Sequence, residues 1–255
     1  MSAPRGEAFR RLLRSVRDFG QRVELLAEQA RGQPPDRLLD LLADLTRSAV
    51  RRDPAAIEAV LAWIVLSVAP GTPLAGRERE LFRLAQARND PLLFTLLQPP
   101  FPTVLGEPPP VPVLTARDGR PLTLGERRAA ARRGNRFLLD RLLADPDPGV
   151  VARLLRNPAL TERDAVRIAA WRPGRADVLV EVLRCPRWAV RPGVQAALLR
   201  NPALPVALAT RLVLLLPLPK LREVARDLEA PLLVRLACRR QLEVVAGHHR
   251  SVDAQ

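Results

Sequence analysis

Pro148–Ala169, PGVVARLLRNPALTERDAVRIA, aligns without gaps on Pro192–Val213, PGVQAALLRNPALPVALATRLV, at an offset of 44 positions. Thirteen of the 22 positions are identical, seven of them consecutively in LLRNPAL, which is beyond chance even in a Leu-rich chain. Self-similarity at such a period marks stacked helical units, each apolar on more than one face, so neighbours must stack to bury the surface. Pro158, Leu160, Leu198 and Leu199 are therefore expected to be structural. A finer rhythm runs through the period: helical runs end at an Arg, a polar or small residue and usually a Pro, as in Arg156-Asn157-Pro158, Arg172-Pro173, Arg184-Cys185-Pro186 and Arg200-Asn201-Pro202, with Arg226-Asp227 as a weaker echo. Asn or Asp closes the helix, the cation complements its negative end, and Pro forbids continuation. Thr161, followed by Glu162 and Asp164, predicts an N-cap, and Thr123 with Glu126 a capping box.

The sequence Arg-Asn-Pro-Ala-Leu between two short helices resembles HEAT-like and leucine-rich-repeat-variant solenoids, which carry Asn-Pro inside a unit and Asp-Pro before its first helix. Asp145-Pro146-Asp147-Pro148 matches the second feature, and Cys185-Pro186-Arg187-Trp188 is its altered counterpart. The resemblance covers about 122–245; it implies an α-solenoid fold and a habit of binding macromolecules, and implies no reaction. The first half of the chain carries no such resemblance.

Upstream, Gln98–Val113 holds seven prolines in sixteen residues and reads as an extended connector. Asp118-Gly119 then suggests a small hairpin within 111–122. Before the connector, Phe9, Leu12, Leu13, Val16, Phe19, Val23 and Leu26 form one apolar stripe on a long basic helix. That helix suits packing in its own bundle, with an anionic membrane or a partner groove as alternatives. Further helices are expected from about Pro35, over Pro54–Ala69, and over Leu74–Leu97 with a break near Asp90-Pro91. The expected architecture is all-α: an N-terminal helical bundle over 1–97, a Pro-rich linker over 98–121, a HEAT-like solenoid over 122–247 and a tail over 248–255.

The chain has 255 residues, 47% of them apolar, with 4% aromatic and no Tyr, a composition that suits helices and not a β-sandwich. Pro70, Gly71 and Pro73 break the least polar stretch before it is long enough to cross a bilayer. The first twenty residues do not read as a secretory signal. Cys185 and Cys238 form no disulfide framework, so a cytoplasmic setting is expected. The formal net charge is +14, and Lys220 is the sole lysine among 41 cations, a bias that GC-rich bacterial coding also produces. Residues 1–113 carry a net of +2 and residues 114–255 a net of +12.

Catalytic, cofactor and metal motifs are not found. His248 and His249 adjoin a terminus with no partner ligand nearby, and no GxSxG, HExxH or P-loop sequence occurs. Lys220, beside Pro219, fits a helix start. Trp171 and Trp188, with Asp177 and Glu181 between them, raise the reading of a base-excising DNA glycosylase, a class known on HEAT-like scaffolds, although packed tryptophans explain the same spacing. The sharpest candidate binding patch is Arg127, Arg128, Arg132, Arg133 and Arg136. Such a cluster fits a solvated face, a dock for an acidic protein, or a phosphate-binding surface. The expected role is a non-catalytic interaction or adaptor protein with another protein as partner; nucleic-acid binding is the alternative, and a glycosylase a distant third.

Overall fold

Pro54–Leu66 contains no charged residue except Glu58 and is apolar around its whole circumference, so it can be stable only in the middle of a core. The computed structural model places it there: Ala56, Ile57 and Ala59–Leu66 are all buried. The structure describes residues 8–9, 11–13, 15–16, 18–67, 74, 77–99, 114–115, 119–133 and 135–252, with side chains as far as 247. Among these the protein is all-α, with no strand.

The helices are α1 (Phe19–Gly32), α2 (Pro35–Val50), α3 (Pro54–Leu66), α4 (Glu78–Ala87), α5 (Pro91–Leu97), α6 (Leu124–Arg133), α7 (Arg136–Leu142), α8 (Pro148–Leu155), α9 (Glu162–Ala170), α10 (Ala176–Leu183), α11 (Pro186–Ala189), α12 (Pro192–Arg200), α13 (Val206–Leu212), a 3-10 turn (Val213–Leu215), α14 (Leu218–Arg226) and α15 (Leu232–Val252). Their boundaries follow local chemistry. Asp53 Oδ1 accepts from the amides of Ala55 and Ala56, and Asp90 Oδ1 from those of Leu92 and Leu93, each with Pro at the first helical position. The break expected at Asp90-Pro91 is present. The single long N-terminal helix is not: Val16 and Asp18 are non-helical, and Asp18 caps α1 by accepting from the Gln21 amide at 3.0 Å. Periodicity alone does not register such a cap, because the apolar stripe continues across it. Of the expected hairpin, residues 111–113 and 116–118 lie outside the described residues; Thr115 and Pro121 form an isolated antiparallel bridge, with Gly119 at φ 83°. Residues 100–113 of the connector, 68–69 at the predicted end of α3 and 253–255 of the tail lie outside the described residues.

The chain forms two compact units: residues 1–102 with 206–255, and residues 103–205. This departs from the expected division, in which 122–247 formed one array. In the first unit α3 packs on α1 and α2, α5 on α2 and α4, and α13 on both α3 and α5. The 3-10 turn packs on α2, and α15 on α13 and α14. Polar anchors complete the assembly. Arg211, only 3% exposed, donates through Nη1 to Ser67 Oγ and through Nη2 to the Gln98 carbonyl at 2.8 Å. Arg52 donates to the Leu215 carbonyl. Residues 206–255 thus supply part of the core of the N-terminal unit.

In the second unit α8 packs on α6 and α10, and α12 on α9. The two LLRNPAL segments adopt the same construction. Asn157 Nδ2 donates to the carbonyls of Ala131 (2.9 Å) and Arg132 (3.2 Å), at the end of α6, while its Oδ1 accepts from the Ala159 amide. Asn201 Nδ2 donates to the carbonyls of Ala169 (2.8 Å) and Trp171 (3.0 Å), at the end of α9, and its Oδ1 accepts from the Ala203 amide. Helix C-termini leave carbonyls without intrahelical donors, and each Asn supplies one from the next layer. The approach is close enough that a Cβ on Gly174 would lie 2.9 Å from Asn201 Oδ1 and 3.0 Å from the Trp171 carbonyl.

Candidate interaction surface

The capping box at the start of α6 is formed as expected: the Thr123 amide donates to Glu126 Oε2 (2.8 Å) and the Glu126 amide to Thr123 Oγ1 (3.3 Å). Arg120 completes it with a two-pronged contact to Glu126 at 2.6 and 2.9 Å. These hydrogen bonds, Arg120's foremost, hold the Glu126 carboxyl down to about 2.

The five arginines of the candidate patch differ in their partners. Arg127 points inward, its Nη1 2.5 Å from Asp145 Oδ1, with side chains 11% and 2% exposed. Arg128 lies 3.5 Å from Asp147 and against the start of α8, where a Cβ on Gly149 would meet its Nη2 at 2.9 Å. Arg136 binds Asp140 (2.7 and 3.1 Å) and the buried Asp164 (2.5 and 2.6 Å). Asp164 is also the acid of the Thr161 capping box that opens α9. The Arg136 bonds, and after them those from Thr161, outweigh burial and hold Asp164 well below the ordinary carboxylate range. Three of the five arginines therefore join helices. Arg132 and Arg133, at the end of α6, are exposed and have no acidic partner among the described residues.

The Asn157 clasp adds neighbours that the sequence did not single out for binding. By tying the 156–160 turn to the end of α6, it brings exposed Arg156 to the Arg132–Arg133 corner. Arg187, on α11, reaches the same turn and donates to the carbonyls of Asn157 (3.1 Å), Pro158 (3.4 Å) and Leu160 (3.3 Å). Its guanidinium also lies 4.4 Å from the Trp188 ring centroid. The Cys185 thiol registers the local charge: burial raises its pKa, and Arg156 and Arg187 oppose the rise. The result is a rim where two helix C-termini meet, formed by Arg132, Arg133, Arg156 and Arg187. The available signal was the Arg of the repeated Arg-Asn-Pro and the Arg of Cys185-Pro186-Arg187-Trp188; both read first as capping residues. At the second turn, Arg172 Nη2 donates to the Arg200 carbonyl at 2.7 Å.

The remaining candidates are engaged locally. Trp188 is buried and donates from Nε1 to the Leu155 carbonyl at 2.7 Å, whereas Trp171 is 42% exposed. Asp177 pairs with Arg175 (2.8 Å) and Glu181 with Arg184 (2.6 Å). Lys220 lies in α14 and binds Glu223 at 2.6 Å. The side chains of His248 and His249 lie outside the described residues. Among those described, no group of three or more His, Cys, Asp or Glu side chains could hold a metal, and no helix is long and apolar enough to cross a membrane.

No family model, curated protein or solved structure matches this chain.

Proposed function

We propose that residues 103–205 act as a non-catalytic docking module on a HEAT-like scaffold, and that the chain works as a cytoplasmic adaptor for a partner protein with an acidic surface. One observation carries the reading: along a run where Arg127, Arg128 and Arg136 are paired with acids, Arg132 and Arg133 stand exposed without one among the described residues. The clasped turn sets Arg156 and Arg187 beside them. Cations carried on an ordered helix end steer an acidic partner toward the surface. Three unpaired arginines at one rim, with Arg187 tied to the turn beside them, suit a compact acidic patch.

The test is affinity purification with the native chain and with the triple variant Arg132→Glu, Arg133→Glu, Arg156→Glu. A defined partner should be captured by the first and lost with the second, while circular dichroism shows the triple variant folded, with a melting point lowered only modestly by acids at the helix C-termini. Retention of the same partner by the triple variant overturns the proposal. So does salt-sensitive binding to duplex or single-stranded nucleic acid that the triple variant abolishes, which would assign the rim to phosphates.

A further inference from the structure

Within the unit formed by residues 1–102 and 206–255, a cavity of about 690 Å³ opens between α2, α5, the 3-10 turn, α14 and α15. That volume lies within the range of small-molecule sites. Its walls are aliphatic, with Leu92, Leu214, Leu216, Leu221 and Val245 among the lining side chains and no aromatic ring described there. Against this apolar interior stand three arginines from the end of α2: Arg47, Arg51 and Arg52. Arg47 is 3.4 Å from Asp90, and Arg52 donates to the Leu215 carbonyl, whereas Arg51 is exposed and has no acidic partner among the described residues. Arg52 occupies the left-handed region at φ 70°, a position that closes α2 and that glycine fills at lower cost. The strained position keeps a guanidinium at the cavity.

A second observation is independent of the arginines. Gln241 also lines the cavity; it is 3% exposed, and its Oε1 has no hydrogen-bond partner among the described residues. A buried polar atom of this kind is costly unless something satisfies it. A half-turn of the amide exchanges acceptor for donor, so Gln241 can present Nε2 to an anion or Oε1 to an acid proton.

We propose that this cavity is a binding site for a single-chain amphiphilic carboxylate, a ligand of the fatty-acid class. The aliphatic walls take the alkyl chain, the arginines take the carboxylate, and Gln241 meets a polar atom of the ligand. A planar heteroaromatic ligand would find no ring to stack on, and a neutral hydrocarbon would leave Gln241 unsatisfied and make no use of the Arg51 guanidinium. The site is separate from the docking rim and stands or falls without it.

Isothermal titration of the full chain with sodium decanoate tests the assignment, with 1-decanol as the uncharged comparator. Decanoate should bind with one-to-one stoichiometry and at least tenfold more tightly than decanol. Arg51→Gln should weaken decanoate about tenfold, as expected for loss of a charge-assisted hydrogen bond. Val244→Phe, which projects a ring into the cavity, should abolish binding, and Leu216→Trp serves if the first variant fails to fold. Arg132→Gln with Arg133→Gln, in the other unit, should change nothing. No binding overturns the proposal, as do equal affinities for decanoate and decanol, binding that persists when the cavity is filled, or an equal loss from the distal pair. Sedimentation with phosphatidylglycerol vesicles in the absence of decanoate binding would assign the arginines to a membrane surface and also overturn it.

Discussion

If Asn157 and Asn201 clamp successive layers, replacing either should weaken the second unit by the same mechanism. Asn157→Ala removes two donations to the carbonyls of Ala131 and Arg132 and one acceptance from the Ala159 amide. Each hydrogen bond is worth roughly 1 kcal/mol net, so the loss should be about 3 kcal/mol, more if the Ala131 carbonyl stays dry. Asn157 is itself 5% exposed and Ala131 fully buried, which argues for a loss no smaller than that. Asn201→Ala removes the equivalent set and should cost a similar amount. Against a typical stability of about 5–15 kcal/mol, both together should bring the unit close to unfolding. Urea denaturation supplies the free energies, and amide exchange at Ala159 and Ala203 shows whether the turns open locally. Asn157→Asp separates the two roles of the side chain. A carboxylate still accepts from the Ala159 amide and suits the neighbouring arginines, yet it cannot donate to a carbonyl. If Asn157→Asp keeps the parent stability, or if Asn157→Ala costs less than about 0.5 kcal/mol, the interlayer clasp is not what holds the repeat together.

Asp164 should make stability depend on acid in a definite direction. Its folded pKa lies below the unfolded value of about 3.9, so its contribution is complete above that value and disappears as pH falls through the folded one. The gap in urea midpoint between the native chain and Asp164→Asn should therefore be constant near neutrality and shrink only below about pH 4; a gap independent of pH refutes the ion-pair account. Arg211→Ala should cost about 2–4 kcal/mol by opening a cavity and stranding the partners at Ser67 and Gln98, whereas Arg211→Met, which keeps much of the stem and removes a buried cation whose Nε is unpartnered, should cost less in the same thermal or urea measurement. Cys238 is fully buried and burial pushes its thiol up to about 12, so an aromatic disulfide reagent at pH 8 should label it only at the rate at which its unit opens.

What the sequence disclosed and what it concealed have a common origin in the range of the interaction. Helix ends written in adjacent residues were legible: Thr123 with Glu126, Thr161 with Asp164, and the Asp90-Pro91 break all form as read. The repeat was legible because both copies retain the Asn that makes a contact between layers. The end of the array was not. Arg226-Asp227 follows the rhythm, and Asp227 even reproduces the turn, accepting from the Glu229 amide at 3.0 Å. A carboxylate offers no proton to the carbonyls of a preceding helix, so Asp227 repeats the local turn and not the donation that Asn157 and Asn201 make. Residues 206–255 accordingly pack with the N-terminal helices, through contacts such as Arg211 to Ser67 that span 144 positions and leave no periodic trace. The cavity beside Gln241 was hidden for the same reason: its walls come from segments that only the fold brings together.

Charge followed a similar course, and this bears on how the docking rim should be judged. A net of +12 over residues 114–255 invites the picture of a polyanion-binding face. Yet arginine here serves largely as a structural fork: Arg127, Arg128 and Arg136 bridge to acids, Arg153 returns to the Gly149 carbonyl, Arg172 to that of Arg200, and Arg187 to three carbonyls of one turn. The planar guanidinium, with five donors, is suited to that work, and a lysine would satisfy fewer acceptors at each junction. At the rim, Arg132, Arg133 and Arg156 remain free of such duties. If the target were a duplex, three phosphate contacts would give a log–log salt slope of about −3, against about −11 if all twelve surplus charges faced one groove. A slope near the larger value would mean that the internal ion pairs exchange for phosphate on binding, and the structural role assigned to these arginines would fail with it.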